Sequence, residues 1–152
     1  DEVFRITNLV FDELSENFPY KTLLVEKCEA DDIIATLVEE TQEFGKYEKV
    51  MIVSSDKDFA QLQKYENVHQ YSPMKKGLIV EKNPRKQLLE LILKGDQSDG
   101  VPNVLSPDNS FVEGIRQTPL RQTAIEKLTE DLNSMGEAVY RNYCRNKKLI
   151  DL

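Results

Sequence analysis

Apolar residues at Phe4, Ile6, Leu9, Val10, Leu14 and Phe18 recur at close to helical spacing through FRITNLVFDELSENF, and Pro19 predicts where that helix stops. The KTLLVEK segment that follows is a short apolar run of strand length. Ala30, Ile33, Ile34, Leu37 and Val38 then fall at i, i+3, i+4, i+7 and i+8, which describes the buried face of a second helix ending near Gly45. KVMIVSS is a continuous apolar run, consistent with a strand buried on both faces of a parallel sheet or with a segment of buried helix. NVHQYSP and GLIVEK read as two further short strands, the second in an edge hairpin. Helices are expected at FAQLQKY and at PRKQLLELILK, the latter stopped by Gly95. This alternation predicts an α/β fold: a mostly parallel sheet between helices, joined by right-handed crossovers.

The length of 152 residues suits one domain, and 39% hydrophobic residues can supply its core. No run approaches the roughly 20 apolar residues of a membrane-spanning helix and no signal peptide opens the chain, so it reads as soluble and intracellular. Cys28 and Cys144 stand at opposite ends of the sequence and support neither a disulfide framework nor a zinc motif. The first residue is Asp1, inside what reads as a helix with no start signal, which implies a fragment.

A net charge of -7 argues at first against a nucleic-acid partner. Its distribution changes the picture. Glu29, Asp31 and Asp32 crowd into CEADDIIATLV, Asp56 and Asp58 into SSDKDFAQL, and Asp96 and Asp99 into GDQSDGV; these seven acids equal the whole net charge. If they face divalent cations, the remaining surface is balanced, with basic stretches at Lys75 and Lys76, Lys82 to Lys86, Arg116 to Arg121 and Arg141 to Lys148.

Each cluster alone has an ordinary explanation. Acids in the first turn of a helix complement its dipole, a D-x-D can cap FAQLQKY, and GDQSDG can be only the turn after a helix. Their joint placement is what capping does not predict. The first two clusters follow predicted strands, and in parallel sheets ligands bind beyond the carboxyl ends of strands. Crowded carboxylates must be protonated or share cations, and oxygen-only ligands suit magnesium or manganese. DQSDG does not fit the calcium-loop pattern. The single histidine, His69, falls in a strand and reads as a packing or surface residue, and no glycine-rich phosphate loop or dinucleotide fingerprint occurs. Carboxylates with hard cations suit in-line displacement at phosphorus. The residues leave open a phosphotransfer domain of topoisomerase-primase type, which also uses a Glu and a D-x-D after strands, and a non-catalytic DNA-structure-binding module. The third acidic pair, in GDQSDG, favours a nuclease.

CEADDIIATLV, VMIVSSDKDFAQL and ILKGDQSDGVPNV, in that order, resemble three successive signatures of the flap endonuclease and 5'-3' exonuclease family, and the spacing to KYENVHQYSPM is similar to its T-even phage ribonuclease H branch. The resemblance implies a PIN-like core at residues 1–94, followed at 95–152 by a helix-turn-helix-like duplex-binding region packed on it. It implies that Glu29, Asp31, Asp32, Asp56 and Asp58 are catalytic metal-site acids, and that Asp96 and Asp99 serve a second, more loosely held metal. Two magnesium or manganese ions per active site are implied, acting on RNA primers and 5' flaps of DNA and RNA-DNA duplexes during phage replication in the infected cell. Possible protein partners of that role are a single-strand binding protein and a sliding clamp, with no membrane and a monomeric state.

Two departures stand out. Members of the family open with a strand carrying a metal-binding aspartate and continue into an arch region, and this sequence has neither, which implies poor activity. The stretch LSPDNSFVEGIRQTPLRQTAIEKL is longer than the compact glycine-rich duplex grip of most members and holds only Gly114. Arg116, Thr118, Arg121 and Thr123 are its candidate phosphate contacts, and in the tail Val139, Tyr143 and Leu149 are expected to pack.

Overall fold

The computed structural model describes residues 2–152, apart from the Phe44 side chain. The elements run α1 (Glu2–Asn17), α2 (Ala30–Gln42), β1 (Val50–Val53), a 3-10 helix (Asp58–Lys64), β2 (Val68–Ser72), β3 (Gly77–Ile79), α3 (Pro84–Lys94), α4 (Gln122–Glu130) and α5 (Glu137–Ile150), with short 3-10 turns at Glu43–Gly45 and Leu132–Ser134. No helix among the described residues is long and apolar enough to cross a membrane.

The sheet is small and mixed. β1 pairs parallel to β2, with Val50 opposite Val68 and Val53 opposite Tyr71, and β2 pairs antiparallel to β3. The expected mostly parallel sheet is thereby corrected: one of its two pairings is antiparallel, because the turn from Pro73 to Lys76 is too short for a crossover and closes a hairpin instead. Nor does the sheet lie between helices. α2 and the 3-10 helix cover one face through Ala35, Val38, Ile52, Phe59, Leu62 and Val68, while Met51, Val53, His69 and Leu78 are exposed. β1 was expected to be buried on both faces, but no described element covers the second face, and Val53 is 66% exposed.

The KTLLVEK strand does not form. Residues 21–25 have no regular secondary structure, and Leu24 is 79% exposed. A strand needs a neighbouring backbone as well as an apolar run. α1 forms where its periodicity places it and ends before Pro19, yet it buries no residue.

α3 joins the two halves. Ile92 packs with Val101 and Ile150, and Leu93 with Val104 and Ile125, flanked by Leu128, Val139 and Tyr143 of α4 and α5. In the tail Ile150 is buried and Leu149 is exposed, contrary to expectation, because the helical register turns Ile150 towards Ile92. Three of the last four carbonyls of α3 find donors from outside the helix or from its cap: Gly95 N–H donates to Leu91 O, Val104 N–H to Leu93 O, and the Asn146 side-chain amide to Ile92 O at 2.8 Å. The same Asn146 amide donates to Pro102 O at 2.9 Å. Asn146→Ala leaves Ile92 O without its side-chain donor, whereas Pro102 O keeps the Arg145 Nη2 donor at 3.0 Å, and urea unfolding should show a loss of about 1–3 kcal/mol; a loss below about 0.5 kcal/mol would show that another group satisfies Ile92 O.

Candidate metal centre

α2 begins at the acids. Asp31 and Asp32 occupy its first turn, where the helix dipole favours negative charge, and Glu29 is its N-cap residue. The Glu29 N–H donates to Asp32 Oδ2 at 3.4 Å, so part of this cluster does serve as a helix cap. The second cluster follows β1. Gln70, fully buried in β2, donates through Nε2 to Ser54 O at 3.0 Å and to Asp56 O at 2.6 Å, and Ser54 N–H donates to Tyr71 O. These bonds pin the loop that leaves the strand. Asp56 Oδ1 then accepts from Asp58 N–H at 3.0 Å and opens the 3-10 helix, which leaves Asp56 exposed and turns Asp58 inward.

The third cluster comes from the turn after α3. Gly95 has φ +69°, and a Cβ there would lie 2.3 Å from Val101 O and 2.6 Å from Pro102 C. Only glycine permits that approach, which places Asp96 and Val101 opposite each other in an antiparallel bridge. Asp96 is buried, its Oδ1 accepting from Ser98 N–H at 2.9 Å and from the Ser98 hydroxyl, its Oδ2 from Lys57 Nζ at 2.5 Å.

Glu29, Asp31, Asp32, Asp58, Asp96 and Asp99 line one cavity of about 80 Å³. Carboxylate oxygens of Asp58, Asp96 and Asp99 lie within 4.8 Å of one another. Asp56 stands outside the lining, but its charge is felt by Asp31 and Asp58. Leu91, Leu149, Ile150 and Leu152 form the apolar wall. Buried Gln61 holds that wall in place, donating to Ile150 O at 3.1 Å and accepting from Leu152 N–H at 2.9 Å. Lys57, Ser98, Gln61 and the C-terminal wall were not among the expected site residues. Ser98 has a local signal, the Asp-x-Ser of an Asx-turn; Gln61 has none.

The four candidate phosphate contacts lie elsewhere. Arg116 and Thr118 are exposed in the loop before α4, Arg121 is its N-cap residue and Thr123 stands in its first turn. The loop is anchored from below: Asn103 N–H donates to Gln117 Oε1, Asn103 Nδ2 to Thr118 O, and Thr118 N–H to Ser106 Oγ. Cys28 and Cys144 are free thiols, and His69 is exposed on β2.

The profile of the family described as "5'-3' exonuclease, N-terminal resolvase-like domain" matches residues 2–89. The chain belongs to the 5'-3' exonuclease family. Among its relatives is the ribonuclease H of Enterobacteria phage T4, 38% identical over 157 residues that cover 97% of this chain and 51% of that protein. A 5'-3' exonuclease of Buchnera aphidicola subsp. Schizaphis graminum is 33% identical over 100 residues, 60% of this chain and 34% of that protein. The chain thus spans about half or less of the length of these relatives. A T5 protein co-crystallised with metal ions superposes with a TM-score of 0.66, covering 97% of this chain and 58% of that one; at 19% identity this is a likeness of fold.

Electrostatics separate the acids of this family member. Burial holds Asp31 above the ordinary aspartate range, and the charges of Asp56, Glu29, Asp32 and Asp99 add to it. Burial likewise raises Asp58; Lys57 opposes this and Asp56, Asp96 and Asp99 reinforce it. Burial pushes Asp96 up too, but the Lys57 ammonium and the Ser98 hydrogen bonds outweigh it and leave that carboxyl below the ordinary range. The raised pair binds protons more readily in the folded than in the unfolded chain, so its contribution to stability grows as pH falls towards the ordinary aspartate value of about 3.9. The depressed Asp96 contributes above that value and is lost below it. Metal-free stability, measured by urea unfolding across pH, should therefore gain from Asp31 and Asp58 as pH falls towards about 3.9 and lose the Asp96 contribution below it, with Asp31→Asn flattening the gain. A wild-type curve that only declines from pH 7 downward would contradict the crowding.

Proposed function

We propose that this chain forms the metal-binding and duplex-contacting part of a 5' nuclease, a hydrolase that cuts phosphodiester bonds from the 5' end of DNA or of RNA paired to DNA, as in removal of primers and 5' flaps. The observation that carries this reading is the convergence of six acids on one small cavity, with three carboxylates inside 4.8 Å. The donor set fits magnesium or manganese: every candidate ligand is a hard carboxylate oxygen, and Asp58 Oδ1 is a buried oxygen without a hydrogen-bond partner. Asp58, Asp96 and Asp99 would hold one ion, and Glu29, Asp31, Asp32 and Asp56 would complete a two-ion site. When bound, such ions activate water and neutralise charge on the leaving oxygen.

The chain's own residues supply the rest. Gln70 and the Gly95 turn set the backbone beneath the carboxylates in place before any ion binds. The wall of Leu91, Leu149, Ile150 and Leu152 keeps bulk water from one side of the acids and strengthens their interaction with any cation. Asp31, half-buried and raised by that burial and by its acidic neighbours, holds a proton more tightly than an ordinary aspartate. Arg116, Thr118, Arg121 and Thr123 form an exposed, partly basic strip that suits phosphates of a duplex, and Asn103 and Ser106 brace it.

Manganese should raise the melting temperature of the protein by mass action, and the Asp58→Asn/Asp99→Asn variant should lose that response. Cleavage of a 5'-labelled RNA-DNA duplex should need the metal and fall by at least about 100-fold in the same variant. Manganese response and cleavage that both survive the double substitution would overturn the assignment.

Duplex binding should weaken with salt, and Arg116→Ala or Arg121→Ala should each reduce the slope of log K against log salt by about one unit. Slopes unchanged in both variants would move the duplex contact off this strip.

A further inference from the structure

Lys57 lies between the two aspartates of the D-K-D motif, yet its ammonium leaves both and reaches Asp96, 39 residues away, at 2.5 Å. The two partners differ in exposure: the Asp96 side chain is 7% exposed and that of Lys57 59%. Ser98 already takes Asp96 Oδ1 with two donors, so Oδ2 is the oxygen through which Asp96 can serve a cation, and Lys57 holds it. On its other side Lys57 borders a second cavity, of about 150 Å³, between the 3-10 helix and α3. Gln61, Gln87, Leu88 and the Glu90–Lys94 ion pair line that cavity, and it shares Asp58 and Leu91 with the acidic one. Lys57 thus lines one cavity while its head pairs with a carboxylate of the other, on a flexible four-carbon stem.

We propose that Lys57 is an exchangeable internal counter-ion: it neutralises Asp96 until a divalent cation takes Oδ2, and then turns its ammonium into the adjoining cavity. The proposal rests on the metal-site reading and adds to it a competitor built into the chain. Its physical basis is that an ammonium on Oδ2 and a divalent cation at the same carboxylate repel each other at close range. That repulsion is twice as strong for a divalent ion as for a monovalent one at the same distance. The ion must therefore meet the repulsion of Lys57 or wait for its departure. Once turned, the ammonium borders both cavities and is free to meet a phosphate oxygen of the bound strand.

The test is calorimetric titration of the protein with manganese, comparing wild type, Lys57→Gln, Lys57→Arg and Asp58→Asn/Asp99→Asn. The side chain is mostly exposed, so these lysine variants keep the fold, and far-ultraviolet circular dichroism checks that they do. Lys57→Gln should bind manganese about tenfold more tightly than wild type. Lys57→Arg retains the charge and should stay within about threefold of wild type. Unchanged or weaker binding in Lys57→Gln, or tightening in Lys57→Arg equal to that in Lys57→Gln, would overturn the counter-ion role. Loss of binding in the aspartate double variant confirms that the titration reads the acidic cavity. Wild-type-like binding in that variant would instead defeat the metal-site reading itself, so the two failures are distinct.

Discussion

The acidic cavity depends on a backbone contact at Gly95. Its Cα approaches the Val101–Pro102 backbone so closely that any side chain would overlap it, and its positive φ admits glycine without strain. From that approach follow the bridge between Asp96 and Val101, the burial of Asp96 and the path of the chain back along α3. The same approach brings Val104 N–H to Leu93 O and sets Pro102 O beside Asn146 of α5. One residue without a Cβ thus joins the third acidic cluster to the packing of the C-terminal helices.

Gathering six carboxylates works against folding, and the structure offsets the cost in three ways. The N-terminus of α2 faces Asp31 and Asp32. Lys57 and Ser98 together satisfy Asp96. The hydrophobic clusters around Leu62, Ile92 and Leu93 supply the cohesion against which the remaining repulsion is held. Repulsion is left over at Asp31 and Asp58, whose carboxyls stay above their ordinary range. Repulsion of this kind is what a bound cation would relieve, in keeping with the metal site proposed above.

The two halves of the chain meet at this cavity. Acids from α2, from the loop after β1 and from the turn after α3 form its polar side, and the end of α5 forms its apolar side. Gln61, on the same 3-10 helix as Asp58, ties the two sides together through Ile150 and Leu152. The family profile ends at residue 89, so Asp96, Asp99 and the α5 wall lie beyond it and reach the cavity through α3.

Local pattern determined a good part of this. The periodicity of Ala30 to Val38, the apolar runs at Val50 and Val68, the hairpin and the Pro84-to-Gly95 helix each encode an element in neighbouring residues, and all of them form. The three acidic clusters were legible because each sits at an element end, and the order of their motifs pointed to the family. Tertiary structure decided what depends on partners distant in sequence. KTLLVEK has the composition of a strand but no paired backbone, and Met51 and Val53 are apolar yet face outward, because an apolar run does not say what will cover it. Asp56 and Asp58 look equivalent in sequence, and only the 3-10 turn exposes one and turns the other inward. The Lys57–Asp96 ion pair spans 39 residues and the Gln61–Leu152 bond 91. Such contacts exist only once the chain has closed those long loops, and local hydrophobic periodicity carries no record of them.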